Sequence, residues 1–310
     1  MLGFVARRLV LTIPLVFLIV TVTFALLRLA PGNPLARERA MPPEIRANLE
    51  RFYGLDRPWY EQYINYLRGV IRGDLGPSYR YREVTVNEII SRGLPVSARL
   101  GVLAYAIALL VGIPCGILAA VRASSWVAQL PLALAVLVLS VPNFVLGPLL
   151  VLLFALTWYW LPPAGWGEWR HYVLPVITLS SGYIGIIARL TRNGLREILS
   201  QDYIRAAYAK GVPGSDVILR HALRLALVPV LSFTGPSLAF LVTGTVVVEQ
   251  IFALPGLGSF FVQAAFHRDY TVVLGVVLFT SLVLIVLNLL VDVAYAVVDP
   301  RISFTERNRR

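Results

Sequence analysis

The chain has 310 residues, of which 57% are hydrophobic and only 15% charged, and its mean hydropathy is +0.73; together these exclude an ordinary soluble domain and call for several membrane spans. A net charge of +11 would suit a nucleic-acid-binding protein if the chain were soluble, but most of the cationic residues flank apolar runs, where they set orientation in a bilayer. The single cysteine, Cys115, lies inside an apolar segment, which excludes an internal disulfide and a cysteine-rich metal site and leaves packing as its role.

Arg7 and Arg8 precede an apolar run from Leu9 to Leu27. The run is longer than a signal-peptide core and has no small-residue cleavage site near Ala30, so a retained first span starting on the inner side is predicted. Pro14 falls within it, a break that neighbouring helices repair in a membrane. From Pro31 to Ala98 the chain turns polar and mixed in charge, and an outer helical region is predicted. Within it Tyr60, Tyr63, Ile64, Leu67 and Ile71 repeat at helical spacing, with Trp59 and Tyr66 beside them. That pattern fits a helix lying in the interface or one packed on the outer mouths of other spans. Thr85 and Glu88 have capping-box spacing ahead of Ile89 and Ile90 and predict a further short helix. A second span, from about Arg99 to Val121, carries Gly112, Pro114 and Gly116, which permit bending and close helix approach.

The apolar stretch from Trp126 to Tyr159 holds Pro131, Pro142 and Pro148 and is longer than one upright span needs. Counting it as two spans would put Arg189, Arg192, Arg196, Arg205, Lys210, Arg220 and Arg224 on the side opposite Arg7 and Arg8, against the charge bias. One tilted or kinked span is therefore predicted. Trp158, Tyr159, Trp160, Trp166 and Trp169 form an aromatic belt beyond it, and Val173 to Ala188 a fourth span. A fifth span runs from about Leu225 to Val248, with Pro229, Gly235, Pro236 and Gly244 as points of bending or close packing. Phe252 to Asp269 is read as an outer loop, and Val272 to Val298 as the sixth span, with Arg301, Arg307, Arg309 and Arg310 holding the tail inside. The expected fold is all-α and polytopic with six transmembrane helices: residues 1–30, an outer region 31–98, and a five-helix core 99–310 that contains a polar loop at 189–228.

That polar loop is the longest interruption between spans. Asp202 is placed to cap a short helix through Tyr203, Ile204, Ala207 and Tyr208, which Gly211 ends in the left-handed conformation. Pro213 and Gly214 force a turn. Ser215 is placed to cap a second helix in which Leu219, Ala222, Leu223 and Ala226 share one face, with Arg220, His221 and Arg224 on the other. The product is a basic knuckle.

The order Asp202, Tyr203, Arg205, Ala206, then Ala209, Lys210, Gly211, then Arg220, His221, Ala222, Leu223, Arg224 and Pro229 resembles the cytoplasmic coupling loop of permease subunits in ABC importers, and among them the dipeptide, oligopeptide and nickel branch. Other branches open this loop with a glutamate and two alanines. Here Arg205 stands in the glutamate position, and the interval from Gly211 to Pro229 is longer, as is usual for the peptide branch. Gly54 to Pro58, Gly73 to Gly76, Leu254 to Gly258, Arg268 to Tyr270 and Asp299 to Ile302 resemble further signatures of that branch, so the likeness extends over nearly the whole chain. It implies a type I importer permease fold in the cytoplasmic (inner) membrane of a prokaryote, with both termini cytoplasmic. The implied partners are a second, homologous permease subunit forming a heterodimer, two ATPase subunits that bind ATP and Mg, and an extracytoplasmic substrate-binding protein received by the outer region. By the same resemblance the ATPase contact falls on Asp202, Tyr203, Arg205, Ala206, Ala207, Lys210, Gly211, Pro213, Gly214, Arg220, His221 and Arg224.

Chemistry on this chain alone is not expected. A phosphate-binding loop needs a glycine-rich turn and a lysine followed by Ser or Thr, but the one lysine, Lys210, is followed by Gly211. His171, His221 and His267 lack the spacing of a zinc site or catalytic triad. No catalytic residue, cofactor, metal or nucleic-acid partner is therefore expected. Glu249 and Asp292 are the acidic residues nearest to membrane depth, and both are read as reaching polar surroundings at helix ends. The competing readings are a secondary carrier driven by an ion gradient, a membrane-embedded enzyme, or a permease of the same family for nickel, glutathione or oligosaccharides. A carrier would be expected to bury carboxylates or histidines along its path, a pattern that is not prominent here.

Overall fold

In a bilayer the backbone must satisfy its own hydrogen bonds, and the long apolar runs of this chain do so as helices. The computed structural model describes residues 2–29, 42–81 and 83–298; the expected closing signature at 299–302 and the last arginines lie outside the described residues. The elements are α1 (Leu2–Leu29), α2 (Pro43–Phe52), α3 (Trp59–Ile71), α4 (Val86–Val121), α5 (Trp126–Leu139), α6 (Asn143–Thr157), α7 (Arg170–Leu199), α8 (Asp202–Ala209), α9 (214–226), α10 (Val228–Thr243), α11 (Val246–Ile251), α12 (Leu257–His267) and α13 (Tyr270–Val298). Five spans, Val10–Leu29, Val86–Val121, Arg170–Leu199, Val228–Ile251 and Tyr270–Ala294, are long and apolar enough to cross a membrane, and the pair α5 and α6 makes a sixth if counted as one.

Thr85 does cap a helix, its hydroxyl accepting the Glu88 N–H at 3.2 Å, but the helix is not short. It continues for 36 residues through Pro95 and Pro114 to Val121, merging the expected capping-box helix with the second span. At 1.5 Å per residue that is ~54 Å, well beyond the ~30 Å hydrocarbon layer, so α4 links the polar region that precedes it to the core as one rod. Glycines set its neighbours. A β-carbon at Gly116 would lie 2.5 Å from the Ala188 carbonyl oxygen of α7, and one at Gly101 would lie 2.5 Å from the Leu241 carbonyl of α10. Packing of this kind, backbone against backbone, substitutes for the hydrophobic drive that lipid does not supply. Between these helices Leu100, Tyr105, Leu174, Ile187 and Leu241 form the main core.

The span expected to be tilted or kinked is bent much more sharply. α5 and α6 meet at 104° across Ser140 to Pro142. Pro142 lacks an N–H and holds the residue before it out of helical geometry, which accounts for the break. Beyond it the aromatic belt is stacked, with Trp158 and Trp160 ring centroids 4.6 Å apart and Trp166 and Tyr172 4.8 Å apart.

Neither acidic residue near membrane depth simply reaches water at a helix end. Glu249 is fully buried: its Oε1 accepts from the Ser97 hydroxyl at 2.7 Å and the Thr245 N–H at 3.2 Å, and its Oε2 from the Ser259 N–H at 2.8 Å. Ser97 Oγ in turn accepts the Leu257 N–H at 2.9 Å. One carboxylate thus ties α4, the break between α10 and α11, and the start of α12. Asp292 forms an ion pair with Arg8, joining α13 to α1.

At the same end of the bundle as α3, Asp269 is also buried and accepts from the Ser78 hydroxyl at 2.5 Å and from Thr271 Oγ1 at 3.0 Å, with the Tyr79 N–H at 3.2 Å. The Gly73 to Gly76 turn is held by Asn87, whose Oδ1 accepts the Leu75 N–H and whose amide donates to the Gly73 carbonyl. Tyr63 of α3 packs on Phe24 of α1 at 5.2 Å and shares a 2.5 Å hydrogen bond with Thr21, while Trp59, Tyr60 and Ile71 stay exposed. α3 therefore packs one face on a span, the second of the two expected arrangements, and leaves its other face exposed.

Candidate coupling surface

α7 carries the chain out of the bundle, and its last residues give way at Ser200 and Gln201 to the short helix α8. The helix begins with Gln201 at its N-cap; Asp202 is the first helical residue and not the cap, and no side chain caps this end. Asp202 still complements the helix dipole from the first turn. Gly211 has φ of +80°, the left-handed geometry expected of it, and the stop is closed by Gly211 N–H donating to Tyr208 O at 3.0 Å and Val212 N–H to Ala207 O at 3.2 Å.

One side chain anchors α8. Ile204 is 0% exposed and packs with Leu195 of α7, Val217, Ala222 and Ala226 of α9, and Ala120 at the end of α4. Ala207, expected among the ATPase-contacting residues, is half-buried against this cluster, because it stands three residues from Ile204 on the same helical face. The outward face holds Tyr203 and Tyr208, close to half exposed, with Ala206, Arg205 and Lys210 beside them. Arg205 Nη1 lies 3.7 Å from Asp202 Oδ1, a surface pair one turn apart that leaves the guanidinium reachable.

The second half differs from the expected regular helix. Pro213, not Ser215, precedes the first turn, and no side chain caps it. Residues 217–222 form a wide turn in which the Leu223 N–H reaches back to the Ile218 carbonyl, five residues away. The inserted residue brings Val217 and Ala222 to one side and leaves Leu219 59% exposed, so the buried face is Val217, Ala222 and Ala226, not the expected stripe through Leu219. Arg220, His221 and Arg224 are exposed, as their spacing predicted. Arg220 lies 3.8 Å from Asp216, whose carbonyl oxygen is 3.2 Å from His221 Nδ1. A β-carbon at Gly194 would lie 2.4 Å from the Ala226 carbonyl oxygen, so α9 sits directly on α7.

The structure thus brings Asp202, Tyr203, Arg205, Ala206, Lys210, Gly211, Pro213 and Gly214 together on an exposed knuckle, with Arg220, His221 and Arg224 on the adjoining helix. The spacing that put Ile204 and Tyr208 on one apolar side of this helix did not give their roles: Ile204 is the anchor, and Tyr208 closes the knuckle by packing over Gly214. Among the described residues no group of three or more His, Cys, Asp or Glu side chains could hold a metal ion.

A multi-pass helical bundle that presents a small basic helix at one end, seated on a spanning helix, defines a membrane-embedded helical protein with an exposed polar knuckle. Residues 112–304 match the family model of the binding-protein-dependent transport system inner membrane component, and residues 1–100 match the model of its N-terminal region. The chain belongs to this family and is an inner-membrane permease component of a binding-protein-dependent transport system. It is 43% identical to an oligopeptide transport system permease protein of Salmonella typhimurium, over 98% of this chain and 100% of that protein. It is also 43% identical to a dipeptide transport system permease protein of Bacillus subtilis, over 94% and 95% respectively. A glutathione transport system permease protein of Escherichia coli is 38% identical over 98% of this chain and its own full length.

Proposed function

We propose that this chain forms half of the translocation pathway of an ATP-driven importer of di- or oligopeptides, and that α8 with its flanking turn is the contact through which an ATPase subunit moves it. The observation that carries the coupling role is the seating of α8: a helix whose outward face is exposed while Ile204 locks it to α7, α4 and α9 at once. A push on Tyr203, Arg205 or Lys210 is transmitted as a rigid-body displacement of two spans. ATP and Mg belong to two ATPase subunits, since Lys210 has no phosphate-binding loop around it. A second, homologous permease completes the pathway wall.

In this reading the knuckle and both termini are cytoplasmic, which accords with the arginine bias of the 189–228 loop. α2, α3 and the 73–81 segment then face the compartment where the substrate-binding protein delivers its cargo. Peptide cargo is favoured by the two relatives at 43% identity.

Two measurements test the proposal. Gly211→Val places a β-branched residue at φ +80° with no neighbour within 4 Å to clash with, so its effect is backbone strain alone, ~1–2 kcal/mol. Membrane levels should match the native protein while ATP-driven uptake into proteoliposomes is lost; native uptake by this variant would sink the coupling role. Uptake that follows an imposed ion gradient without any ATPase subunit would instead establish a secondary carrier.

A further inference from the structure

A cavity of about 340 Å³ lies where the last turn of α1 meets α2, α3 and the 73–79 turn. Arg28, Arg51 and Arg57 all line it, and Asp74 is the one acidic residue that does. Asp74 is already engaged, accepting the Gly76 N–H at 2.9 Å. Arg28 donates to Gln62 Oε1 and lies 5.5 Å from the centre of the Phe24 ring, while Arg51 and Arg57 make no ion pair among the described residues. The Tyr66 hydroxyl, also on the cavity wall, is buried without a hydrogen-bond partner among the described residues. Burial pushes Tyr79 up to about 12 and raises Tyr66 as well, so both stay neutral donors at physiological pH.

A second cavity, about 370 Å³, shares Phe24 and Arg28 with the first and is otherwise mainly apolar, walled by Thr21, Ala25, Leu29, Trp59 and Tyr63. It runs along the end of the first span, where Leu26 and Leu29 are 61% and 79% exposed. Three guanidinium groups against a single carboxylate leave a surplus of positive charge, and an unpartnered phenol adds a donor. An apolar channel leads from that charge down the outside of a transmembrane helix at the level of an interfacial tryptophan. An acidic side chain of a docking protein would satisfy the arginines but would have no use for the channel.

We propose that the two cavities together bind one anionic phospholipid of the leaflet at this end of the bundle, with its phosphate in the arginine cavity and an acyl chain along α1. Guanidinium groups suit phosphate because they donate paired N–H bonds, and each basic residue near an anionic headgroup strengthens its retention. Bound there, the lipid would brace α3 and the 73–79 turn against the first span.

The test uses the intact transporter, purified with its partner subunits and reconstituted in nanodiscs of mixed phosphatidylglycerol and phosphatidylcholine. Native mass spectrometry after detergent extraction should find one phosphatidylglycerol retained by the wild-type complex. Retention by the Arg51→Ala/Arg57→Ala variant should be roughly 30-fold weaker, and that by Arg46→Ala, whose side chain pairs with Glu50 outside the cavity, unchanged. Should the double variant fail to assemble, a photoactivatable phosphatidylglycerol added to the wild-type complex should label residues between Phe24 and Tyr79. Equal retention by the double variant, equal retention of phosphatidylcholine, or labelling elsewhere overturns the proposal. So does displacement of the lipid by millimolar inorganic phosphate, which would make the site one for the free anion. A double variant that keeps its lipid but loses affinity for the substrate-binding protein would assign the arginines to protein docking instead.

Discussion

Glu249 shows how one buried charge can organise a fold. Its two oxygens accept from a hydroxyl of α4 and from backbone N–H groups on both sides of a glycine-bounded loop. A β-carbon at Gly256 would lie 2.3 Å from the Glu249 carboxyl carbon, so that position admits no side chain. Glu249→Ala should strand three donors, at roughly 1–3 kcal/mol for each left unsatisfied. Ser97→Ala removes one hydroxyl and strands the Leu257 N–H, a smaller loss. Thermal melting of the detergent-purified complex should rank native above Ser97→Ala and Ser97→Ala above Glu249→Ala; a reversed order would mean that the carboxylate is not the centre of the network. The identity of Glu249 as a charged residue near membrane depth was legible from hydropathy. Its partners were not, because Ser97 stands 152 positions away and only helix packing brings the two together.

Among elements, α4 and α7 are the most closely packed pair, with α7 leading into the knuckle and α4 reaching the opposite end. Their contact is set by Gly112 and Gly116. Gly116→Leu should force the helices apart and cost at least ~1–3 kcal/mol as an overpacked interface, and less of the protein should reach the membrane in folded form. Gly182→Ala on the same α7 is the contrast, because a β-carbon there meets only Leu139 at 3.7 Å; it should be neutral or slightly stabilising. Fluorescence size-exclusion profiles of membranes expressing each variant would separate the two outcomes. Glycine and proline spacing announced these crossings in α4 and the break in α10. Sequence periodicity misjudged α9, where the wide turn at 217–222 shifts the buried face by one residue, and it divided α4 in two because the cap at Thr85 carried no sign of how far the helix would run.

For the molecule as a whole, orientation decides the functional reading. In a background lacking Cys115, single cysteines replacing Lys210 and Tyr60 should react with a membrane-impermeant maleimide from opposite sides of right-side-out vesicles. Tyr60→Cys should label from outside, and Lys210→Cys only after permeabilisation. The opposite pattern would place the knuckle away from any ATPase and end the coupling proposal. The segment between α3 and α4 adds a second device at this scale. Asp269 pins residues 78–80 to the start of α13, so Asp269→Ala should loosen that segment, which limited proteolysis of right-side-out vesicles would detect as new cleavage between Gly73 and Val84.

Long apolar runs, arginine placement and the ordered Gly and Pro positions of the 201–229 loop determined by themselves that this is a multi-pass membrane protein with a basic knuckle, because hydrocarbon thickness and backbone satisfaction leave few alternatives, while the permease reading came from the motifs that resemble a known family. Tertiary structure alone decided which knuckle residues face outward, that Ile204 is the anchor, that α5 and α6 turn through 104°, and that Glu249 and Asp269 are hubs. Those features depend on contacts between distant segments, and nothing in the local period of a sequence records which helix will lie against which.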